Sequence, residues 1–307
     1  MEFSHYSVMR AECIEALQIR PDGTYIDMTV GGGGHASEIA KRLTSGRLIG
    51  IDRDADALAA ASERLAPYMD RVTLVRDNYK NIKEIAAALK LGRVDGILCD
   101  MGVSSYQLDT AERGFSYRLD APLDMRMDQS AALTAAEVVN TYSEKELADI
   151  IFRFGEERYA RRIASGIVAA RPVQTTSELS NIVKSAFPPA ERFGDKHPAK
   201  RTFQAIRIEV NDELKSLDKA FEDAIDLLAK GGRIAVMTFH SLEDRVVKNT
   251  FKRLSQGCIC DKSLPVCVCH NREVIRLVSR KPIVAGAREL TENHRSKPAK
   301  LRIGEKL

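Results

Sequence analysis

The sequence predicts an α/β protein: a doubly wound, mostly parallel, Rossmann-like sheet with a small helical domain inserted into it. Three observations carry that expectation. Short apolar runs alternate with segments of helical spacing through the first third of the chain. The first run leads into consecutive glycines, Gly31 to Gly34. The alternation breaks off after Asp100, gives way to loop-like and then helical patterning, and resumes near Leu214.

In order, strand 24–30 precedes helix 36–44, strand 47–52, helix 55–66, strand 71–76, helix 80–90 and strand 94–100. Residues 101–128 read as loop. Ser143-x-x-Glu146 and Thr175-x-x-Glu178 are capping boxes ahead of helical apolar stripes. A stripe over Leu214, Leu217, Phe221, Ile225 and Leu228 is a helix that Gly231-Gly232 should stop. Strand 233–240, helix 241–254 and paired strands 274–279 and 299–303 then finish the sheet. The domain boundaries expected are 1–106 plus 206–307 for the sheet domain, and 107–205 for the insertion.

A chain of 307 residues, 44% hydrophobic and 29% charged, has ample core material. A net charge of +4 permits a nucleic-acid partner without requiring one. No apolar run approaches the ~18 residues of a membrane span. The first residues show no secretory pattern, so a cytoplasmic protein is expected and its six cysteines are not expected to pair as disulfides. Oligomeric state is not legible; a homodimer is compatible with the sequence.

Strand, glycine turn and helix together present backbone N–H groups to a ligand. Gly31, Gly33 and Ala36 fit a loose dinucleotide fingerprint, a weak signal by itself. Asp27, four residues before Gly31, fits the D-x-x-x-G-x-G form carried by methyltransferases that use S-adenosylmethionine. Asp52, at the end of the second strand, is placed to grip ribose hydroxyls. Both S-adenosylmethionine and NAD carry such a ribose, so Asp52 does not choose between them. Asp27, the glycine turn, Asp52, Tyr79 and Asp100 all fall at carboxyl ends of strands, where doubly wound sheets bind ligands.

The chain resembles the bacterial 16S ribosomal RNA (cytosine-N4) methyltransferase family. The resemblance rests on Asp27-x-Thr29-x-Gly31-x-Gly33-Gly34-His35, on Gly50 to Asp54, on Asp100-x-Gly102-Val103-Ser104-Ser105 and on Pro122 to Asp128. It extends through His197 to Glu213, Phe239 to Asp244 and Arg295-Ser296, so it spans nearly the whole chain. It implies methylation of a cytidine N4 in the decoding region of 16S rRNA, with S-adenosylmethionine as donor and the small ribosomal subunit as partner. It also implies cofactor contacts at Gly33, Gly34, His35, Asp52, Tyr79, Asp100 and Gln107. The backbone amides of Gly33, Gly34 and His35 would face the methionine carboxylate, and Tyr79 would stack on adenine.

The cytosine amino lone pair is delocalised into the ring, so positioning must supply much of the acceleration. Asp100 is the candidate acceptor at N4, assisted by Ser104 and Ser105; it could instead serve only the cofactor. DNA amino-methyltransferases commonly carry D-P-P-Y here, whereas this chain has Asp100-Met101-Gly102-Val103. A stacking aromatic must come from elsewhere, with Tyr106, Phe115 and Tyr117 as candidates. Cys99 raises a rival C5-methylation reading, but strand alternation turns it away from the face of Asp100.

Ten basic residues of the insertion form a candidate phosphate-binding surface: Arg153, Arg158, Arg161, Arg162, Arg171, Lys184, Arg192, Lys196, Lys200 and Arg201. Cys258-x-Cys260 and Cys267-x-Cys269 are candidate ligands of a structural zinc ion, with disulfides or free thiols as alternatives. Other family members lack these four cysteines, so catalysis does not need them. Two rival functions remain at this stage: an NAD-dependent oxidoreductase on the same sheet, and an RNA-binding assembly factor without turnover.

Overall fold

The structure is a computed structural model that describes residues 7–192, 197–261 and 266–307. The chain divides into two compact units, one made of residues up to Gly102 together with Ser216–Leu307, the other of Val103–Lys215.

The first unit opens with α1 (Arg10–Leu17). Then follow β1 (Thr24–Asp27), α2 (Gly34–Ala40), β2 (Arg47–Asp52), α3 (Ala55–Leu65), β3 (Val72–Arg76), α4 (Ile82–Ala88) and β4 (Val94–Asp100). The chain passes through the second unit as α5 (Ser105–Asp109), α6 (Ala135–Thr141), α7 (Glu144–Gly155), α8 (Ala160–Ala169), α9 (Thr176–Ala186) and α10 (Ala199–Asn211). It returns as α11 (Leu217–Leu227), β5 (Leu228–Thr238), α12 (Ser241–Leu254), β6 (Ile275–Leu277), α13 (Ala287–Glu292) and β7 (Lys300–Lys306).

The strands form one sheet in the order β3-β2-β1-β4-β5-β7-β6, with β7 antiparallel to both neighbours. An all-parallel dinucleotide-binding sheet runs 3-2-1-4-5-6; here a reversed strand stands between the fifth strand and the edge. The central strands are buried on both faces, which is why Leu48–Ile51 and Ile97–Cys99 read as unbroken apolar runs. The core on one side of this sheet gathers Met9, Cys13, Leu17, Tyr25, Ile39, Leu43, Leu98, Met237 and Leu301. Each fully buried aliphatic or aromatic side chain contributes about 1.5–3 kcal/mol.

Two elements differ from expectation. β1 ends at Asp27, because beyond it the chain fans between its neighbours: Met28 N–H donates to Leu98 C=O and Val30 N–H to Ile51 C=O. The Gly231-Gly232 pair does not end α11, which stops at Leu227. It lies inside β5, where the pairing with β4 jumps from Val94↔Leu228 to Gly96↔Arg233 and Gly231 takes φ +77.

The second unit is helical. The capping boxes at Ser143 and Thr175 start α7 and α9, and a further box at Thr134 starts α6. Its own core includes Val138, Leu147, Ile151, Ile163, Leu179, Val183, Phe203 and Ile206. A boundary at 205 would cut α10, whose buried face belongs to that core; the division falls after Lys215 instead.

Candidate active site

The site lies at the carboxyl ends of β1, β2 and β4, where the strand order changes direction. Asp27, Asp52 and Asp100 close these three strands, and parallel register sets them along one edge of the sheet.

Gly31 and Gly33 make the turn after β1, with φ of +50 and +76, a region costly for any side chain. A Cβ at Gly33 would also stand 3.3 Å from the Ala61 backbone of α3. Gly31 N–H donates to Asp52 Oδ2 at 2.9 Å, and Asp54 N–H donates to Asp52 Oδ1 at 3.0 Å. Gly33 N–H donates to Val30 C=O at 2.8 Å, so its hydrogen is committed within the turn. What Gly33 visibly adds to the turn is its left-handed backbone. Gly34 and His35 open α2, where N–H groups have no carbonyl one turn back.

His35 is buried. Its Nε2 lies 3.0 Å from the Val8 carbonyl and its Nδ1 3.6 Å from Asp100 Oδ2. A carbonyl only accepts, so Nε2 carries the hydrogen. Burial lowers the imidazole pKa to about 4, leaving a neutral ring with a lone pair at Nδ1.

Asp100 N–H donates to Thr29 Oγ1 at 2.6 Å. Its Oδ1 is buried with no hydrogen-bond partner among the described residues. Burial first, then the charges of Asp27 and Glu243, push its carboxyl well above the usual range. Burial likewise pushes Asp27 up to about 7, opposed by Thr29 N–H at 3.2 Å. Asp52 is raised by burial too. Three carboxyls that are costly to ionise thus share one strand edge, an arrangement that favours a cationic ligand.

Tyr79 is half-buried at the start of a short 3₁₀ turn after β3. Asp77 N–H, two residues earlier, donates to Asp52 C=O and ties this segment to the end of β2. Cys99 is fully buried, with its sulfur 3.3 Å from Met101 Sδ, and burial pushes the thiol well above its usual range. It is not a thiolate nucleophile.

Sequence reasoning gave no role to Thr29, Val8 or Glu243. Glu243 is wholly buried, and its Oε2 accepts from Phe239 N–H at 2.8 Å and His240 N–H at 3.2 Å, completing a capping box for α12. The spacing of His240 and Glu243 in Phe239 to Asp244 was its only signal.

The chain matches the model of the MraW methylase family over residues 2–307. It belongs to that family. It is 58% identical to a protein of Agathobacter rectalis named Ribosomal RNA small subunit methyltransferase H 2, covering 100% of this chain and 99% of that protein. A Brevibacillus brevis protein named Ribosomal RNA small subunit methyltransferase H is 53% identical, with 100% and 99% covered. A Clostridioides difficile protein of the same name is 51% identical, with both chains covered in full.

In the second unit of this MraW-family chain, Ser104 Oγ accepts from Gln107 N–H at 3.1 Å and Gln107 Oε1 accepts from Ser104 N–H at 2.9 Å. The two form a reciprocal cap on α5, and Ser105 is that helix's first residue. The Ser104-x-x-Gln107 spacing announces this box. A capped helix thus stands inside the stretch 101–128 that reads as loop from the sequence.

Of the aromatic candidates, Phe115 belongs to the core of this unit. Tyr117 is stacked against His197 with ring centroids 4.5 Å apart, and Tyr106 is 48% exposed. Two family motifs meet within the unit: Asn211 Oδ1 accepts from Met127 N–H and its Nδ2 donates to Met125 C=O, both at 2.7 Å. Arg207 holds Glu213 in a two-pronged pair at 2.9 and 3.0 Å.

The basic residues divide by contact. Arg171 and Arg192 bind backbone carbonyls, those of Val139 and Tyr142 for the first and of Ser185 and Phe187 for the second. Arg153 pairs with Asp149, Arg158 with Glu191, and Arg201 reaches Glu156 C=O. Lys184 is half-buried, while Arg161, Arg162 and Lys200 are exposed; Lys196 lies outside the described residues.

Proposed function

We propose that this chain transfers the methyl group of S-adenosylmethionine to the exocyclic N4 of a cytidine in the decoding region of 16S rRNA. Membership of the MraW methylase family makes it a methyltransferase, and relatives above 50% identity bear the name of small-subunit rRNA methyltransferases. The observation that carries the site assignment is Asp100: a carboxyl at the strand switch point, anchored by Thr29, with one oxygen buried and unmatched.

The residues fit the donor. Asp52, oriented by two amides, suits ribose hydroxyls. The N–H groups of Gly34 and His35 suit the methionine carboxylate, and Tyr79 suits the adenine face. The clustered carboxyls of Asp27 and Asp100 suit the ammonium and the sulfonium charge. When bound, S-adenosylmethionine supplies an electrophilic methyl group on a positively charged sulfur.

The remaining work falls to the chain. Asp100 accepts a hydrogen of the target amino group, which localises the nitrogen lone pair and aims it in line. Orientation of this kind can supply about 7–11 kcal/mol of the barrier. Tyr106, the exposed second residue of α5, offers an aromatic face on the second unit for an RNA base. The Ser104–Gln107 cap fixes the backbone that carries it. Unit Val103–Lys215 is the RNA-recognition element, with Arg161, Arg162 and Lys200 as phosphate contacts.

The test uses small subunits from a strain lacking the gene, treated with the protein and labelled donor, then digested to nucleosides. N4-methylcytidine is expected. A C5-methyl product would retain the fold and reject the mechanism. Binding without transfer would return the assembly-factor reading, and binding of NAD in place of S-adenosylmethionine the oxidoreductase.

A further inference from the structure

The four late cysteines converge on one point. Cys258, Cys260, Cys267 and Cys269 lie between α12 and β6, and their sulfur atoms all fall within 4.8 Å of one another. Sγ separations are 3.9 Å for Cys260–Cys267, 3.7 Å for Cys267–Cys269 and 3.8 Å for Cys258–Cys269. A disulfide closes at about 2.05 Å. A tetrahedron with metal–sulfur bonds of about 2.3 Å has edges of about 3.8 Å. The cluster therefore has the dimensions of a thiolate cage around a single ion.

The backbone supports the same arrangement. Val268 and Cys269 N–H groups both donate to Cys260 Sγ at 3.2 Å. Ile259 and Asn271 N–H groups donate to Cys269 Sγ at 3.3 and 3.5 Å. Amides aimed at sulfur stabilise thiolate over thiol and orient the ligand. Packing, by contrast, does little for this segment: from Lys252 to Val274 no described residue is buried, and Ile259, Val266 and Val268 are more than half exposed. Asn271 Nδ2 clamps the loop base through Gln256 C=O and Gly257 C=O at 2.9 and 2.7 Å. A loop with so little core requires another source of order.

We propose that Cys258, Cys260, Cys267 and Cys269 bind one zinc ion as a closed, structural site. Four thiols lose four protons and the ion gains four sulfur ligands, leaving no position for water or substrate. The site folds the segment that joins α12 to β6; it takes no part in methyl transfer.

The test is elemental analysis of the full chain, purified under reducing conditions after reconstitution with zinc and a brief chelator wash. About one zinc per chain is expected. Cobalt(II) in its place should give tetrahedral thiolate absorption bands. The double variant Cys260→Ser/Cys269→Ser should hold less than about a tenth of an equivalent while still binding S-adenosylmethionine, which shows that loss of metal is not loss of fold. Less than a tenth of an equivalent in the reconstituted wild type would overturn the proposal. In a separate preparation made without reductant, a denatured, metal-free chain titrating fewer than its six thiols would overturn it in favour of disulfides. Iron in place of zinc would overturn the choice of metal.

Discussion

His35 sets its Nδ1 lone pair 3.6 Å from Asp100 Oδ2 while its Nε2 hydrogen goes to the carbonyl of Val8. The imidazole, lowered to about 4, stays neutral at pH 7, and the Asp100 carboxyl is held well above the usual range. A neutral ring cannot offset a carboxylate, so a positive ligand favours ionisation of Asp100.

Binding of S-adenosylmethionine should therefore release protons. The cation lowers the raised carboxyl pKa values, so affinity should rise with pH through the range where these groups titrate. S-adenosylhomocysteine lacks the sulfonium charge and should release fewer protons. Calorimetry at pH 7 in buffers of different ionisation enthalpy reads the difference. Equal release for both ligands would contradict the account. Asp100→Asn should reduce the release and slow methyl transfer by about 10²–10⁴-fold, the usual range for a positioned proton acceptor.

Asp27 supplies a separate pH dependence, of stability. Its carboxyl stands at about 7 in the folded chain against 3.8 unfolded. Its favourable contribution is full below the unfolded value and is lost as pH rises through the folded one, a change on the order of 4 kcal/mol. His35 runs the other way: at about 4 folded against 6.5 unfolded, its contribution is full above 6.5 and lost as pH falls. The two offset between pH 4 and 6.5 in the wild type. Asp27→Asn removes one of them, so its melting temperature relative to wild type should climb from pH 5 to pH 8. A pH-independent difference in scanning calorimetry would show that Asp27 is not buried as a neutral acid.

The alternation of strands and helices was legible because parallel strands covered on both faces leave unbroken apolar runs, and because caps mark helix ends. Helix α12 begins and ends where the pattern placed it, Ser241–Leu254. Register was harder to read. Nothing in Ala229–Gly232 distinguishes a helix stop from an irregularity within β5; only pairing with β4 decides it. At the site, Asp52 and Asp100 stood out through their place at strand ends. The committed amide of Gly33, the Thr29 anchor and the unmatched oxygen of Asp100 depend on contacts across strands, which sequence order does not reveal. Helix α1 also passed unnoticed, since its short Arg10–Leu17 run lacks a clean apolar stripe.

Asp52 ties the glycine turn to the end of β2. Asp52→Ala removes the acceptor of Gly31 N–H and, in the proposed complex, the ribose contacts. Hydrogen bonds to a charged group are worth about 1.5–3 kcal/mol, so the dissociation constant for S-adenosylmethionine should rise roughly ten- to hundredfold or more. Circular dichroism should show the fold retained, because α3 keeps its own cap through Asp54. A change under about twofold would remove Asp52 from the ribose assignment.

Asn211 tests the architecture of the second unit. Its side chain satisfies Met127 N–H and Met125 C=O at once, at a loop where Met125 takes φ +59. Asn211→Ala strands two buried polar groups, at about 1–3 kcal/mol each, and should lower the urea midpoint accordingly. Asn211→Asp is the sharper probe. At neutral pH it keeps the acceptor for Met127 but places a charge beside the Met125 carbonyl, so it should be at least as destabilised as the alanine variant. Burial raises the pKa of such a carboxyl, and once protonated it can donate to Met125. Stability of Asn211→Asp should therefore recover relative to Asn211→Ala as pH is lowered. Parallel unfolding curves for the two variants across pH would mean that this side chain does not bridge the loop.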